Sequence, residues 1–197
     1  MKFFLASMSP RRRELLASLE IEHQLLDIAI NEEQRPNETP LSYVERMAKE
    51  KAEAGFSSLA NTEDALVLAA DTIVVFGDQV LGKPDNREHA REILRQLSGR
   101  SHAVMTAFAL KSADKIRIQR VNTTVFFRHL LEAEIEWYLN TSEPWDKAGG
   151  YAIQGAGSAF VSNISGSYSS VVGLPLSELL TALRDFGFEC CVAGSRA

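Results

Sequence analysis

The sequence predicts an α/β fold in which a mixed, twisted sheet with flanking helices forms two lobes around a central cleft. Short apolar runs alternate with segments that carry apolar residues at helical spacing, which is typical of α/β proteins. Two long β patterns over 101–111 and 115–127, joined at Ser112-Ala113-Asp114, predict an antiparallel pair. The chain has no repeat, low-complexity tract or long linker, so we expect one domain over residues 1–197.

The first half of the chain is predicted to alternate strands with helices. An apolar run predicts a strand over 2–6, and Ser9-Pro10 supplies an N-cap and a proline at N1 for a helix over 10–19. A strand over 23–30 precedes the polar loop 31–38, and Thr39-Pro40 repeats the helix-start pattern before an amphipathic helix over 41–54. The continuous apolar run 65–70 indicates a buried strand, which continues to 76 and turns at Gly77-Asp78.

The second half of the chain contains the long antiparallel pair. A returning segment over 79–82 leads to a helix over 86–97 that ends at Ser98-Gly99. After the long pair, a helix is predicted over 131–140, with acidic residues near its start. Residues 149–170 are rich in Gly and Ser around short β segments, and a helix over 175–186 and a strand over 188–192 complete the fold.

Composition limits the classes of function. The chain has 197 residues, of which 45% are hydrophobic, so it can bury a sizeable core. Net charge is -5 and the pI is about 5.5, which fits a small anionic ligand better than a nucleic acid. No apolar run is long enough to span a bilayer, and the apolar start meets Pro10 too soon for a signal peptide. The adjacent Cys190 and Cys191 predict reduced strand residues of a cytoplasmic protein.

The segment from Ser7 to Arg13 predicts an anion site. Three arginines occupy the first turn of the predicted helix, where the helix dipole makes cations unfavourable. Free backbone N–H groups, a hydroxyl and guanidinium groups at such a junction bind phosphate well. The alternative is a solvated basic turn on a surface helix.

Asp71 is the strongest candidate for catalysis. It follows the apolar run directly, and we place it at the carboxyl end of a buried strand, where open α/β sheets bind ligands. The alternative is an Asp that caps the strand. Thr72 follows it, and Lys83, in Gly82-Lys83-Pro84, is folded back toward it if the hairpin forms.

Other polar residues are weaker candidates. Glu32 and Glu33 are either exposed loop charges or Mg²⁺ ligands. Lys51 lies on the apolar stripe of its helix, so we expect it to face a partner. Gln154 is predicted to lie on a strand with flanking glycines, where an amide can pair with a base edge.

The sequence lacks several familiar catalytic patterns. It contains no Walker A motif, no G-x-G-x-x-G and no Cys/His metal spacing. Its four histidines have no spacing that suggests a zinc site or a triad. Ser7 and Ser9 have no base nearby in sequence, so a covalent serine hydrolase ranks last.

Several segments, in order along nearly the whole chain, resemble the Maf family of nucleoside triphosphate pyrophosphatases. Each segment alone is a weak match, and the ordered set is specific. The matching segments are Leu5-Ala6-Ser7-x-Ser9-Pro10-Arg11-Arg12, Lys49-Glu50-Lys51-Ala52, Ala70-Asp71-Thr72, Gly82-Lys83-Pro84, Leu97-Ser98-Gly99, Asp146-Lys147-Ala148-Gly149, Gln154-Gly155 and Val172-Gly173-Leu174-Pro175-Leu176.

The resemblance implies a two-lobed fold, often dimeric, that hydrolyses the α–β phosphate bond of a nucleoside triphosphate with a divalent metal, Mg²⁺ or Mn²⁺. It implies that Asp71 accepts the proton of the attacking water. Arg11, Thr72 and Gln154 match the subtype that acts on dTTP and UTP, so modified pyrimidine nucleotides are further candidates.

From these residues we form a hypothesis for the site. Glu32 and Asp71 are predicted to hold the metal. The residues predicted to bind the substrate are Ser7, Arg11, Arg12, Arg13, Lys51, Thr72, Lys83 and Gln154. A homodimer that binds neither nucleic acid nor membrane is expected, and the alternative function is a non-catalytic nucleotide-binding regulator of cell division.

Overall fold

The computed structural model describes residues 1–188 and contains one seven-stranded mixed sheet. The strands are β1 Lys2–Leu5, β2 Gln24–Leu25, β3 Ala65–Phe76, β4 Gln79–Leu81, β5 Ser101–Lys111, β6 Ile116–Phe127 and β7 Val161–Ser165. Their order is β2-β1-β3-β5-β6-β7, and β4 also pairs with β3. The β1–β2 and β1–β3 pairs are parallel, and the other pairs are antiparallel.

Helices cover both faces of this sheet. They are α1 Pro10–Ala17, α2 Pro40–Ser57, α3 Arg87–Leu97, α4 Glu132–Tyr138, α5 Tyr168–Val172 and α6 Leu176–Arg184. Short 3₁₀ turns cover Pro144–Asp146, Ala148–Gly150 and Ala156–Phe160. The Thr39 hydroxyl caps α2 by accepting from the Ser42 N–H at 3.2 Å. Within residues 1–188, no helix has both the length and the apolar character that a membrane span needs.

The alternating side chains of β3 pack against different helices. Leu66 and Leu68 belong to the core cluster that includes residues of α1 and α6. Val67 and Ala69 belong to a second cluster, which includes residues of α2. Because side chains alternate along a strand, Asp71 lies on the α2 side of the sheet and Thr72 lies on the opposite side.

One edge of β3 is open in its middle. On that edge β1 pairs with β3 as far as Leu68, and β4 begins to pair at Val74. The other edge is covered by β5 continuously from Val67 to Val75. The open stretch between β1 and β4 lets side chains from both faces of β3 reach the same cleft.

The predicted elements agree with the structure except in a few places. The strand predicted over 23–30 is only Gln24–Leu25, because its partner β1 ends at Leu5. The five-residue helix α5 was not predicted, since its Ser- and Val-rich sequence is a poor helix former. Ser9 is the N-cap of α1, but its side chain makes no capping bond. Apart from Phe188, the predicted strand over 188–192, with Cys190 and Cys191, lies outside the described residues.

The position predicted for Asp71 is wrong in one respect. Asp71 is not at the carboxyl end of a strand, because the 12-residue strand β3 continues past it to Phe76. The antiparallel pairing with β5 holds the strand in extended conformation past the carboxylate. Asp71 reaches the cleft because the opposite edge of β3 is open there.

Candidate active site

A cleft of about 590 Å³ opens at the unpaired edge of β3. One side is formed by the β1–α1 junction, by the loop that follows β2, and by α2. The other side is formed by β4 and residues 146–154. Among the predicted site residues, those that line it are Ser7, Arg11, Arg12, Glu32, Lys51, Asp71, Thr72, Lys83 and Gln154. The structure therefore brings together residues that are distant in sequence.

Lys51 joins the two carboxylates that were predicted to hold a metal. Its ammonium nitrogen lies 2.7 Å from Asp71 Oδ1 and 2.8 Å from Glu32 Oε1. The Lys51 and Asp71 side chains are only 12% and 13% exposed, whereas Glu32 is 60% exposed. Tyr43 of α2 supports this loop by donating its hydroxyl to the Glu32 carbonyl at 2.7 Å.

Arg12 is held on the other side of β3 by three acceptors. Its guanidinium donates to the Gly173 carbonyl at 2.9 Å, to Ser7 Oγ at 3.1 Å and to Thr72 Oγ1 at 3.3 Å. Burial lowers the pKa of Arg12, and Asp71 acts in the opposite direction. The three hydrogen bonds hold the guanidinium in a fixed position on the wall of the cleft.

A chain of hydroxyl groups continues from Arg12 into the core. Thr72 Oγ1 lies 2.9 Å from Thr106 Oγ1, and the Thr106 hydroxyl donates to the Ser170 carbonyl at 2.7 Å. Because the Thr106 proton goes to Ser170, the Thr72 hydroxyl donates to Thr106 and accepts from Arg12. Thr72 is thus committed to positioning Arg12.

The remaining two arginines of α1 differ in placement. Arg11 lines the cleft, and its guanidinium lies 3.8 Å from the carboxylate of Asp146. Arg13 is exposed and does not line the cleft, so of the three arginines named as substrate-binding candidates only Arg11 and Arg12 line it. Successive helical residues point about 100° apart, which prevents all three from facing one side.

Lys83 and Gln154 lie on the far side of the cleft and are both exposed. Gln154 lies in a turn, so its predicted placement on a strand is wrong. Within residues 1–188, no hydrogen bond or ion pair is found for the Lys83 ammonium, so it can take an anionic ligand. Glu33, the second acid of the polar loop, does not line the cleft. Its backbone carbonyl instead accepts from Arg46 at 2.9 Å.

The floor of the cleft includes Tyr151, which contacts a buried histidine. The Tyr151 hydroxyl lies 2.8 Å from His102 Nε2. Burial lowers the pKa of His102 to about 4 and raises the pKa of Tyr151, so both groups are neutral at pH 7. This pair is a structural contact of the apolar part of the site.

The donor groups present fit a hard divalent cation. Mg²⁺ needs only one or two protein carboxylates, because phosphate oxygens and water complete its octahedral shell. Glu32 and Asp71 are brought together by the same lysine and can supply those ligands. Within residues 1–188, no group of three or more His, Cys, Asp or Glu side chains forms a complete metal cage.

Several residues of the cleft were not predicted to be functional. Tyr43, Asp146 and Lys147 all line it, and Thr106 supports it from below. The Asp146-Lys147 pair could have been found from its position in a segment that carries the family resemblance. Thr106 gave no such signal, because only the β3–β5 register places it opposite Thr72.

The chain belongs to the Maf family. Residues 2–186 match the family model described as Maf-like protein. Curated relatives named dTTP/UTP pyrophosphatase include one from Syntrophus aciditrophicus, which is 47% identical over 94% of this chain and 90% of its own. Another, from Pseudoalteromonas atlantica, is 51% identical over 94% of this chain and 98% of its own.

A third such relative, from Pectobacterium atrosepticum, is 51% identical over 90% of this chain and 89% of its own. Among solved structures, the Staphylococcus aureus Ham1 protein is similar with a TM-score of 0.46 and 13% identity. That similarity covers 64% of this chain and 72% of the other.

Proposed function

We propose that this protein hydrolyses dTTP and UTP at the α–β phosphate bond, with Mg²⁺ or Mn²⁺, and releases the monophosphate and pyrophosphate. The observation that carries the proposal is that α1 guanidiniums and the Lys51–Asp71 pair face one cleft large enough for a nucleotide. The names of the relatives support the same activity and substrates. A homodimer in the cytoplasm stays a prediction from the sequence.

The triphosphate would lie between α1 and the β4 side of the cleft. Arg12 and Lys51 are fixed in place by their partners, so little ordering is needed when they bind anionic oxygens. Lys83 reaches in from the opposite wall, and Arg11 adds a guanidinium from the helix start. Phosphate oxygens would also accept from the free N–H groups of the first turn of α1.

The metal would be held by the carboxylates of Glu32 and Asp71. When bound, it supplies charge neutralisation on the phosphate oxygens. Lys51 would then be free to shift from the carboxylates toward the substrate, since a triphosphate carries more negative charge than either acid. The ammonium thus keeps the two acids together before substrate arrives.

Asp71 would act as the general base. Its carboxylate is largely buried, carries one strong contact to Lys51 and faces the cleft from the centre of a paired strand. A water beside this oxygen would lose its proton to Asp71 as it attacks the α-phosphorus in line with the leaving pyrophosphate. Positioning and charge neutralisation by the surrounding cations would lower most of the barrier.

The pyrimidine ring of the nucleotide would lie against the apolar part of the cleft near Gln154. Val74, Leu81, Val104 and Ile153 line this part, and Gln154 lies at its edge. The Gln154 amide can donate to O4 and accept from N3–H of uracil or thymine. A single methyl is worth only about 1–3 kcal/mol in a hydrophobic pocket, and thymine and uracil share the O4 and N3–H edge, so both dTTP and UTP are expected to be substrates.

The test is a panel of dTTP, UTP, CTP, ATP, GTP and 7-methyl-GTP with Mg²⁺, assayed for monophosphate and pyrophosphate. The proposal predicts release from both dTTP and UTP, with lower kcat/KM values for the others. Strong preference for a purine triphosphate would refute the assignment of substrate. Tight binding of dTTP without release of pyrophosphate would instead favour the non-catalytic regulator.

A further inference from the structure

The carboxylate of Glu143 lies inside the loop that carries Gln154. Its Oε1 accepts from the Ala156 N–H at 2.6 Å, and its Oε2 accepts from the Gly157 N–H at 3.2 Å. Two successive N–H groups that point into one concavity form an anion-binding arrangement. Here the anion is a side chain of the protein itself, so the contact organises the loop.

Tyr138 extends this contact to the other side of Gln154. It is the last residue of α4 and is completely buried. Its hydroxyl donates to Glu143 Oε2 at 3.1 Å and accepts from the Ala152 N–H at 3.1 Å. The loop is therefore bound on both sides of Gln154. Before it, Ala152 contacts Tyr138, and after it, Ala156 and Gly157 contact Glu143, which Tyr138 also contacts.

The glycines of the loop show how closely it packs on Glu143. A Cβ added to Gly155 would lie within 2.5 Å of both carboxylate oxygens of Glu143. A Cβ added to Gly157 would lie 2.8 Å from the Ala152 carbonyl oxygen and 2.9 Å from the Tyr138 hydroxyl. Glycine is thus needed at both positions, because the loop packs too closely on Glu143, Tyr138 and the Ala152 carbonyl to admit a Cβ.

Glu143 also connects to a cation of the cleft. Its backbone carbonyl accepts from the Lys147 ammonium at 3.2 Å, and Lys147 lines the cleft. The Glu143 and Tyr138 side chains do not line the cleft themselves. Any effect that they have on a bound nucleotide must therefore pass through the residues they hold.

We propose that Glu143 and Tyr138 are positioning residues for base selection, because they fix the backbone of the loop 152–157 and so hold Gln154 where its amide reaches the base edge. The inference rests on the proposed function. Its specific consequence is discrimination between a keto and an amino group at position 4 of a pyrimidine, since the proposed Gln154 contact donates to O4, where cytosine carries an N4 amino donor instead.

The experiment compares kcat/KM for UTP and CTP in the wild type, Glu143→Gln and Tyr138→Phe. Glu143→Gln keeps the shape but places an NH₂ group against a loop N–H, so the UTP-to-CTP ratio should fall about tenfold. The kcat for UTP should stay within about threefold, because the residues around the phosphates are unchanged. Tyr138→Phe removes only the hydroxyl and should lower the same ratio by a smaller factor.

A double-mutant cycle with Gln154→Ala distinguishes positioning from a general structural effect. If Glu143 acts through Gln154, Glu143→Gln should change the UTP-to-CTP ratio no further in the Gln154→Ala background. A further fall in that background would overturn the inference. The matched control is Glu134→Gln, whose carboxylate accepts from the Leu131 N–H at 2.8 Å but does not line the cleft. It should leave the ratio unchanged.

The remaining outcomes separate the two proposals. A wild-type ratio in Glu143→Gln, together with a lowered ratio in Gln154→Ala, would overturn the inference and leave the proposed function intact. If Glu143→Gln does not fold, Tyr138→Phe decides the question in the same way. A wild type that releases no pyrophosphate from any triphosphate would refute the proposed function, and the inference would fall with it.

Discussion

Replacing Asp71 with Asn tests the proposed mechanism most directly. The substitution keeps the shape of a side chain that is 13% exposed in the centre of β3, and it removes the charge and the basic oxygen. Loss of a general base lowers turnover by about 10²–10⁴. We therefore expect pyrophosphate release from dTTP to fall by that factor.

The same substitution should change stability only slightly. Lys51 loses its charged partner at 2.7 Å, but it keeps Glu32 at 2.8 Å and can still donate to the amide oxygen that replaces the carboxylate. The unfolding free energy should therefore fall by about 1 kcal/mol, far less than the cost of leaving a buried charge unpaired. For a chain of this size that corresponds to a fall of about 2–4 °C in Tm.

The assay measures pyrophosphate release from dTTP with Mg²⁺, together with Tm and nucleotide binding by calorimetry. Asp78→Asn is the matched control, because Asp78 lies in the turn of the same hairpin and does not line the cleft. It should retain wild-type turnover. Full turnover in Asp71→Asn would refute the catalytic assignment, and a large loss of Tm would show that the acid is mainly structural.

Three further predictions concern the hydroxyl chain, the buried histidine and the metal. Thr106→Val removes the acceptor for the Thr72 hydroxyl proton and the side-chain donor to the Ser170 carbonyl, so urea unfolding should show a loss of about 1–3 kcal/mol; an unchanged midpoint would contradict the chain. Burial lowers the pKa of His102 from 6.5 to about 4. The unfolded chain therefore binds a proton that the folded one excludes, and the unfolding free energy should fall by up to about 3 kcal/mol as pH drops through that range. His102→Phe should remove this slope, whereas a slope that persists would assign it to other groups. Chelation with EDTA should stop turnover without lowering Tm, since Lys51 already forms ion pairs with both carboxylates, and activity that persists in EDTA would contradict the metal requirement.

Local patterns predicted most of the elements. Proline after a hydroxyl residue marked the starts of α1 and α2, and alternating residues marked the long β5–β6 pair. The errors arose where tertiary contacts decide the outcome. The length of β2 is set by how far β1 extends, and α5 is held by the Ser167 side chain, which accepts from the Ser170 N–H at 3.2 Å.

The chemistry of the site was also partly predictable. The types of residue needed for an anion, a base and a metal could be found from their positions near the ends of apolar segments. Which of the three arginines face the cleft could not be found, because that depends on the rotation of α1 against the sheet. The commitment of Thr72 to Arg12 and Thr106 likewise depends on the register between β3 and β5.

Local sequence patterns were enough to predict the alternation of helices and strands, the segments that match one family and the kinds of side chain available for phosphate chemistry. Only the packed structure shows that Lys51 holds Glu32 and Asp71 together, that Arg12 is held in place on the wall of the cleft and that Glu143 supports the Gln154 loop. The reason is physical. Periodicity and capping act over a few residues, whereas these contacts join residues up to 161 positions apart through strand pairing and helix packing.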